Sequence, residues 1–142
     1  MTTLATDTQR AYQLGDQEDY PVVASDIIYE GAAVGEDDSG YAQPLAQGQP
    51  FLGFAVRKAD NSAGAAGDIN VTVKTRGRVQ LAVAGATAVT ANDRPAVYAS
   101  DDDTFTLTST SNSLIGYVSR WISSGVCIVE FDALAVKAAL QA

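Results

Sequence analysis

The chain has 142 residues, a formal net charge of -8 and a hydrophobic content of 46%, with one cysteine and no histidine. This length predicts one compact domain with its own core and excludes two domains of ordinary size. The single cysteine excludes an intrachain disulfide, and no apolar run reaches the roughly 20 residues that a membrane-spanning helix needs. Alanine and valine lead the apolar residues, and such small and β-branched side chains favour sheets over helix bundles.

The charge is unevenly distributed along the chain. Residues 1–50 hold nine acidic residues and one basic residue, so all of the net charge lies there. Residues 51–142 hold eight acidic and eight basic residues. Affinity for nucleic acids depends largely on basic side chains that neutralise phosphates, and the sequence contains no basic, aromatic-rich stripe. We therefore expect no direct binding of nucleic acid, and no association with a membrane.

Three regions follow one another along the chain. Residues 1–19 are polar and show neither a helical nor a strand period, which predicts an extended N-terminal arm. In residues 20–132 short apolar runs alternate with turn residues, which predicts a compact, mainly β domain, either a barrel or a sandwich. Residues 133–142 are rich in alanine and follow Asp132, a good cap, which predicts a short C-terminal helix.

The clearest strand covers residues 68–74, where apolar and polar residues alternate. The glycine of the sequence TRGR at 75–78 predicts a hairpin turn between this strand and a second one at 79–83. Further strands are predicted at residues 27–30, 51–57, 96–99, 104–108, 114–122 and 125–131.

An internal similarity relates two parts of the predicted domain. Residues 31–58 align without gaps to residues 94–121, and FLGF at 51–54 meets LIGY at 114–117. Two interpretations are open at this point. Either the chain contains two related β units, or the likeness is the one that any two strand-turn-strand segments share.

The sequence contains no recognisable catalytic constellation. Without histidine, the usual general base and the commonest zinc ligand are missing. Cys127 lies in the apolar stretch GVCIV, which predicts a buried, inert thiol. The acidic runs at 36–38 and 101–103 are interpreted as solvated turns, because a calcium loop would add a glycine and a following glutamate. We predict no enzymatic activity, no cofactor and no metal site.

Aromatic and charged residues remain as candidates for contacts with a partner. Large rings with a polar tip often anchor interfaces, and concentrated acidic residues repel one another unless they lie against a basic surface. Two groups fit this pattern, one in and beside the arm and one in the basic stretch of the domain. The candidate contacts are Tyr12, Leu14, Asp16, Glu18, Asp19 and Tyr20 in the first group, and Arg76 and Arg78 in the second.

Five stretches, in this order along the chain, resemble the head decoration proteins, or capsid cement proteins, of tailed bacteriophages. They are GDQEDYP (15–21), IYEGAAVG (28–35), FLGFA (51–55), DNSAG (60–64) and VYASDD (97–102). The resemblance covers roughly residues 15–132, and it implies a compact β domain on the outer face of the virion. It also implies major capsid protein as the partner, a homo-trimer, and an N-terminal arm that reaches over neighbouring capsid subunits.

Two other functions stay open at the level of sequence. One is a different phage structural β module, in a tail or at the base of a fibre. The other is a β module that binds a small ligand or a sugar, for which we expect exposed aromatic residues clustered on one sheet.

Overall fold

The computed structural model describes residues 5–7, 9–10, 15–88 and 93–136. Within these residues the chain forms twelve strands. They are β1 (Gln17–Pro21), β2 (Ile27–Ile28), β3 (Ala33–Glu36), β4 (Ala42–Pro44), β5 (Phe51–Ala55), β6 (Ala59–Asp60), β7 (Asn70–Lys74), β8 (Arg76–Ala84), β9 (Ala96–Ala99), β10 (Phe105–Thr106), β11 (Ser113–Ser123) and β12 (Val126–Asp132). A short helix at 133–136 follows β12, and residues 137–142 of the predicted helix lie outside the described residues.

The strands form two main sheets. The first sheet has the order β1-β7-β5-β3-β4, and the second is a closed barrel with the order β10-β8-β12-β11-β9. Strands β2 and β6 form a small separate pair. The prediction of a mainly β fold with a barrel and a short C-terminal helix is confirmed.

The predicted hairpin between residues 68–74 and 79–83 is wrong. Strand β7 pairs with β1 and β5, whereas β8 pairs with β10 and β12, so the chain crosses from the first sheet to the barrel at Thr75. Gly77 does have a positive φ of 148°, as predicted for the glycine, but it lies within β8. There a Cβ atom would lie 3.2 Å from Cε of Lys74, so the glycine permits close packing where the two sheets meet.

The first sheet and the barrel repeat the same pairing pattern. Ala33 pairs with Phe54, and 63 positions later Ala96 pairs with Tyr117. The next pairs, Val34 with Gly53 and Val97 with Gly116, are also 63 positions apart. In both sheets a register shift follows this pair. Residues 31–58 and 94–121 therefore occupy equivalent places in two copies of one β unit.

The equivalence extends to the first and last strands of each unit. In the first sheet β7 lies between β1 and β5, and in the barrel β12 lies between β8 and β11. Glu18 pairs with Val73 in the first sheet, and Val79 pairs with Val129 in the barrel. The parallel contact that closes the barrel, Phe105 with Val83, also has a counterpart, the isolated bridge between Val22 and Ala42.

A pair of equivalent glycines lies where the sheet strands approach most closely. A Cβ atom on Gly53 would collide with the carbonyl oxygen of Lys74, and one on Gly116 would collide with the carbonyl oxygen of Glu130. Neither backbone oxygen can move without breaking the sheet around it. A glycine is therefore required at this position of each unit.

The two units share part of one core. A cluster of buried residues around Val22, Ile28 and Val71 fills the first sheet. A larger cluster fills the barrel and includes Phe51 and Phe54 from β5 of the first sheet. The two sheets therefore pack against each other through a shared core.

The predicted arm, residues 1–19, overlaps the first strand. Strand β1 begins at Gln17, because Gln17, Glu18 and Asp19 pair with Lys74, Val73 and Thr72. Apolar and polar residues do not alternate in residues 17–21, because β1 is an edge strand and most of its side chains remain exposed. The sequence pattern therefore did not reveal this strand. Pro21 ends the strand without disturbing it, since edge strands tolerate a missing N–H group.

We predict that Gly116→Ala destabilises the domain by about 2–3 kcal/mol, because the added methyl group overpacks against a fixed backbone carbonyl. Gly31→Ala is the control. Gly31 has a φ of 85° and open space around it, so alanine there costs about 1 kcal/mol of backbone strain. Urea unfolding of both variants measures the difference. Equal losses would contradict the close approach at Gly116.

Candidate interaction surface

The described part of the chain holds a buried thiol and no candidate metal-binding cluster. Cys127 is buried in the barrel core, and burial raises the pKa of its thiol, which keeps the thiol protonated and unreactive. Within the described residues, no group of three or more histidine, cysteine, aspartate or glutamate side chains could hold a metal ion. No helix among them is long and apolar enough to cross a membrane.

The two acidic runs are turns whose carboxylates bind the backbone. The Asp101 carboxylate accepts a hydrogen bond from the Asp103 amide at 2.9 Å, and these local bonds lower the pKa of Asp101. The Asp37 carboxylate accepts bonds from the amides of Ser39 and Tyr41 at 2.9 and 2.8 Å. Both runs therefore have a local structural role.

Strand β1 determines where most of the candidate contacts lie. Glu18 and Tyr20 pair with Val73 and Val71, so these two side chains lie on the same face of the sheet as the core. Tyr20 is half-buried there, whereas Glu18, at the sheet edge, remains exposed. Asp19 projects from the opposite face, where its carboxylate accepts a hydrogen bond of 2.6 Å from the Thr72 hydroxyl.

The structure brings three of the candidate residues together at one groove, which we call the β1 groove. It has a volume of about 420 Å³. Glu18 and Tyr20 line one side, and Arg76 lines another. Its remaining walls come from the first sheet and from the end of β12, with Gly15, Gln17, Glu36, Phe51, Leu52, Thr75, Asp132, Ala133 and Leu134. Of the other candidates, Asp16 and Arg78 line a neighbouring depression beside Lys74 and Glu130, and Arg76 lies in both.

The β1 groove has an acidic character. Burial raises the pKa of the Tyr20 phenol, and the negative charges of Glu18 and Glu36 raise it further. Asp132 caps the C-terminal helix, since its carboxylate accepts hydrogen bonds from the amides of Leu134 and Ala135 at 3.2 Å each. Three carboxylates and one guanidinium group therefore surround a floor that includes Phe51 and Leu52.

Three of the basic residues between 57 and 78 have separate neighbours within the chain. Lys74 lies 3.9 Å from the Asp16 carboxylate, and Arg78 makes an ion pair of 2.9 Å with Glu130. Lys58 instead lies over the ring of Tyr29, 5.3 Å from its centroid. Asp16 and Lys74 thus lie close together within one chain.

Two candidate contacts, Tyr12 and Leu14, lie outside the described residues. Other residues of the groove were missed, namely Glu36, Leu52 and Leu134, because they come from three elements that are distant in sequence. The sequence did contain one signal for Glu36. The internal alignment places this charged residue at the position of the apolar Ala99, which marks it as a departure from the repeated pattern.

The exposed aromatic residues are spread over the molecule. Tyr29 is 58% exposed near β2, whereas Tyr117 and Trp121, which are 48% and 37% exposed, lie on β11. This distribution does not match the single aromatic face that we expected of a sugar-binding module.

The sequence matches no family model, and no curated protein or solved structure is significantly similar to the chain.

We predict that Glu36→Gln lowers the pKa of Tyr20 without returning it to the ordinary value of 10.0, because burial is the larger cause of the shift. Glu30→Gln, remote from the groove, is the control. NMR titration of ring-labelled tyrosines, assigned with Tyr20→Phe, measures the pKa. Since the folded pKa is raised, Tyr20 stabilises the fold below the unfolded pKa, and this contribution is lost as the pH rises through the folded pKa. An unchanged pKa in Glu36→Gln would place that carboxylate too far from Tyr20.

Proposed function

We propose that the protein is a structural decoration, or cement, protein that binds the outer surface of a phage capsid and stabilises contacts between major capsid protein subunits. It acts as a homo-trimer on the virion and contacts neither nucleic acid nor membrane directly. It performs no catalysis. The resemblance of residues 15–132 to decoration proteins supports this proposal, and so does the arrangement of the N-terminal part of the chain.

One observation carries the proposal. The acidic N-terminal part of the chain enters the domain along the open edge of the first sheet, beside the β1 groove. The side chains of Asp16, Glu18 and Tyr20 are exposed or half-buried along this edge. A cement protein needs such a surface, because it has to contact subunits on more than one side.

The strength of binding is expected to come mostly from apolar and aromatic contacts. Exposed ion pairs contribute about 0–1 kcal/mol each, and salt screens them over roughly 10 Å at ordinary ionic strength. The acidic residues then mainly set the rate of approach and the register. An acidic patch also opposes binding to the phosphates of packaged DNA.

We predict that a chain lacking residues 1–14 folds but binds heads at least tenfold more weakly than the whole chain. Strand β1 begins at Gln17, so this deletion spares every pair between β1 and β7. Purified expanded heads without decoration protein are incubated with each chain, and bound protein is counted by sedimentation and electron microscopy. Thermal unfolding of the truncated chain is the control for folding.

Absence of binding by the whole chain would contradict the proposed function. Binding to tails or fibre bases instead of heads would favour the other phage structural role.

A further inference from the structure

We infer that the open edge of β1 and the β1 groove together receive an extended, positively charged segment of the capsid subunit, whose lysine or arginine side chain enters the groove between Glu18 and Glu36. This inference rests on the proposed function, since it names the chemistry of the partner at that surface.

The backbone of β1 has one free side. Among the described strands, β1 pairs along its length with β7 alone. The hydrogen bonds from Thr75 to the Asp16 carbonyl at 2.9 Å and from Val22 to the Ile69 carbonyl at 3.0 Å set the alternation of the ladder. In an antiparallel ladder every second residue points its N–H and C=O groups outward, and here these residues are Gln17 and Asp19. The Asp19 N–H donates to the Glu18 carboxylate at 3.1 Å, so an added segment has to displace that bond. Another extended segment can add to such an edge.

Comparison with the barrel, the second copy of the β unit, shows that the β1 groove has polar residues where the barrel has apolar ones. The barrel positions equivalent to Glu18, Tyr20 and Glu36 are Val79, Leu81 and Ala99. In the barrel all three belong to the apolar core cluster or pack against it. The first unit therefore has two carboxylates and a phenol where the same β unit otherwise has apolar side chains.

These polar residues have no structural task that explains them. Glu18 accepts one bond of 3.1 Å from the amide of its neighbour Asp19. The Glu36 side chain has no hydrogen-bond or ion-pair partner within the described part of the chain. Glu18 is exposed and Glu36 is half-buried, so both carboxylates are accessible to a charged partner. Charged side chains that replace apolar ones without a structural task are candidates for function.

Charge complementarity identifies the occupant. A second copy of the chain that added to this edge would bring Glu18 and Asp19 against identical acidic residues, and like charges directly opposite each other are destabilising. A segment with lysine or arginine compensates the carboxylates and covers Leu52 and Tyr20 with its aliphatic stem. A small free amine would not form hydrogen bonds with the outward backbone groups of β1. An extended protein segment can form them, so it fits this surface best.

The first test measures attachment to expanded heads. The double variant E18Q/E36Q keeps shape and removes two charges, and we expect about a tenfold weaker association. The control E30Q/D103N removes two charges from exposed residues at a separate depression and should bind as the wild type does. Equal binding by the wild type and E18Q/E36Q overturns this inference alone, whereas failure of the wild type to bind contradicts the proposed function.

A carbodiimide that joins carboxylates to amines identifies the basic side chain. A cross-link between Glu18 or Glu36 and a capsid lysine, mapped by mass spectrometry, supports lysine. Weaker binding of the variant without any such cross-link supports arginine. If E18Q/E36Q binds heads normally but self-associates, the acidic residues protect the edge from aggregation, and the inference is wrong.

A second test does not depend on heads. A seven-residue peptide that alternates lysine with threonine is titrated into the isotope-labelled chain. We expect amide shifts confined to Gln17–Pro21 and Glu36, and their loss in E18Q/E36Q. A glutamate-threonine peptide is the control. The absence of shifts at millimolar lysine peptide would overturn the inference.

The variant E18V/E36A introduces the residues of the second unit. We expect weaker attachment to heads by a folded chain, because the basic side chain loses its partners. Retained attachment by this variant would overturn the inference.

Discussion

Four phenylalanine rings hold the two β units together, and the rest of the structure depends on this contact. Phe54 of the first sheet lies 4.9 Å from Phe131 of the barrel and 6.0 Å from Phe105, measured between ring centroids. Phe51 packs edge-on against both Phe54 and Phe131. Such pairs contribute about 0.5–1.5 kcal/mol each beyond their burial. Because the cluster joins the sheets, Thr75 alone suffices as the connection between them, and the β1 groove is held between fixed walls.

A repeated β unit gives the molecule a way to divide its tasks. The barrel is closed and its interior is apolar, which suits a stable base. The first sheet has the same strand order but joins its outer strands through one bridge, between Val22 and Ala42. It carries the acidic and aromatic residues that the second unit lacks at equivalent positions. Under the proposed function, stability and interaction are therefore assigned to different copies of one fold.

Much of the fold could be predicted from the sequence, since alternation and turn residues are local signals. The strand at 96–99 was predicted at its observed bounds. In the DNSAG stretch, Asn61 is buried, and its side-chain amide donates hydrogen bonds to the carbonyls of Val23 and Ala65. The course of the chain after Thr75 was not predictable, because a glycine with positive φ serves a turn and a close packing contact equally well. The β1 groove combines residues from β1, β3, β5 and the C-terminal helix, and no local pattern connects them.

Differential scanning calorimetry of the whole chain tests the central claim, that the two units form one cooperative structure through the phenylalanine cluster. We expect a single transition in which the calorimetric and van't Hoff enthalpies agree. Two separate transitions, one for each unit, would contradict this account, since the walls of the β1 groove would then not be held together by a shared core.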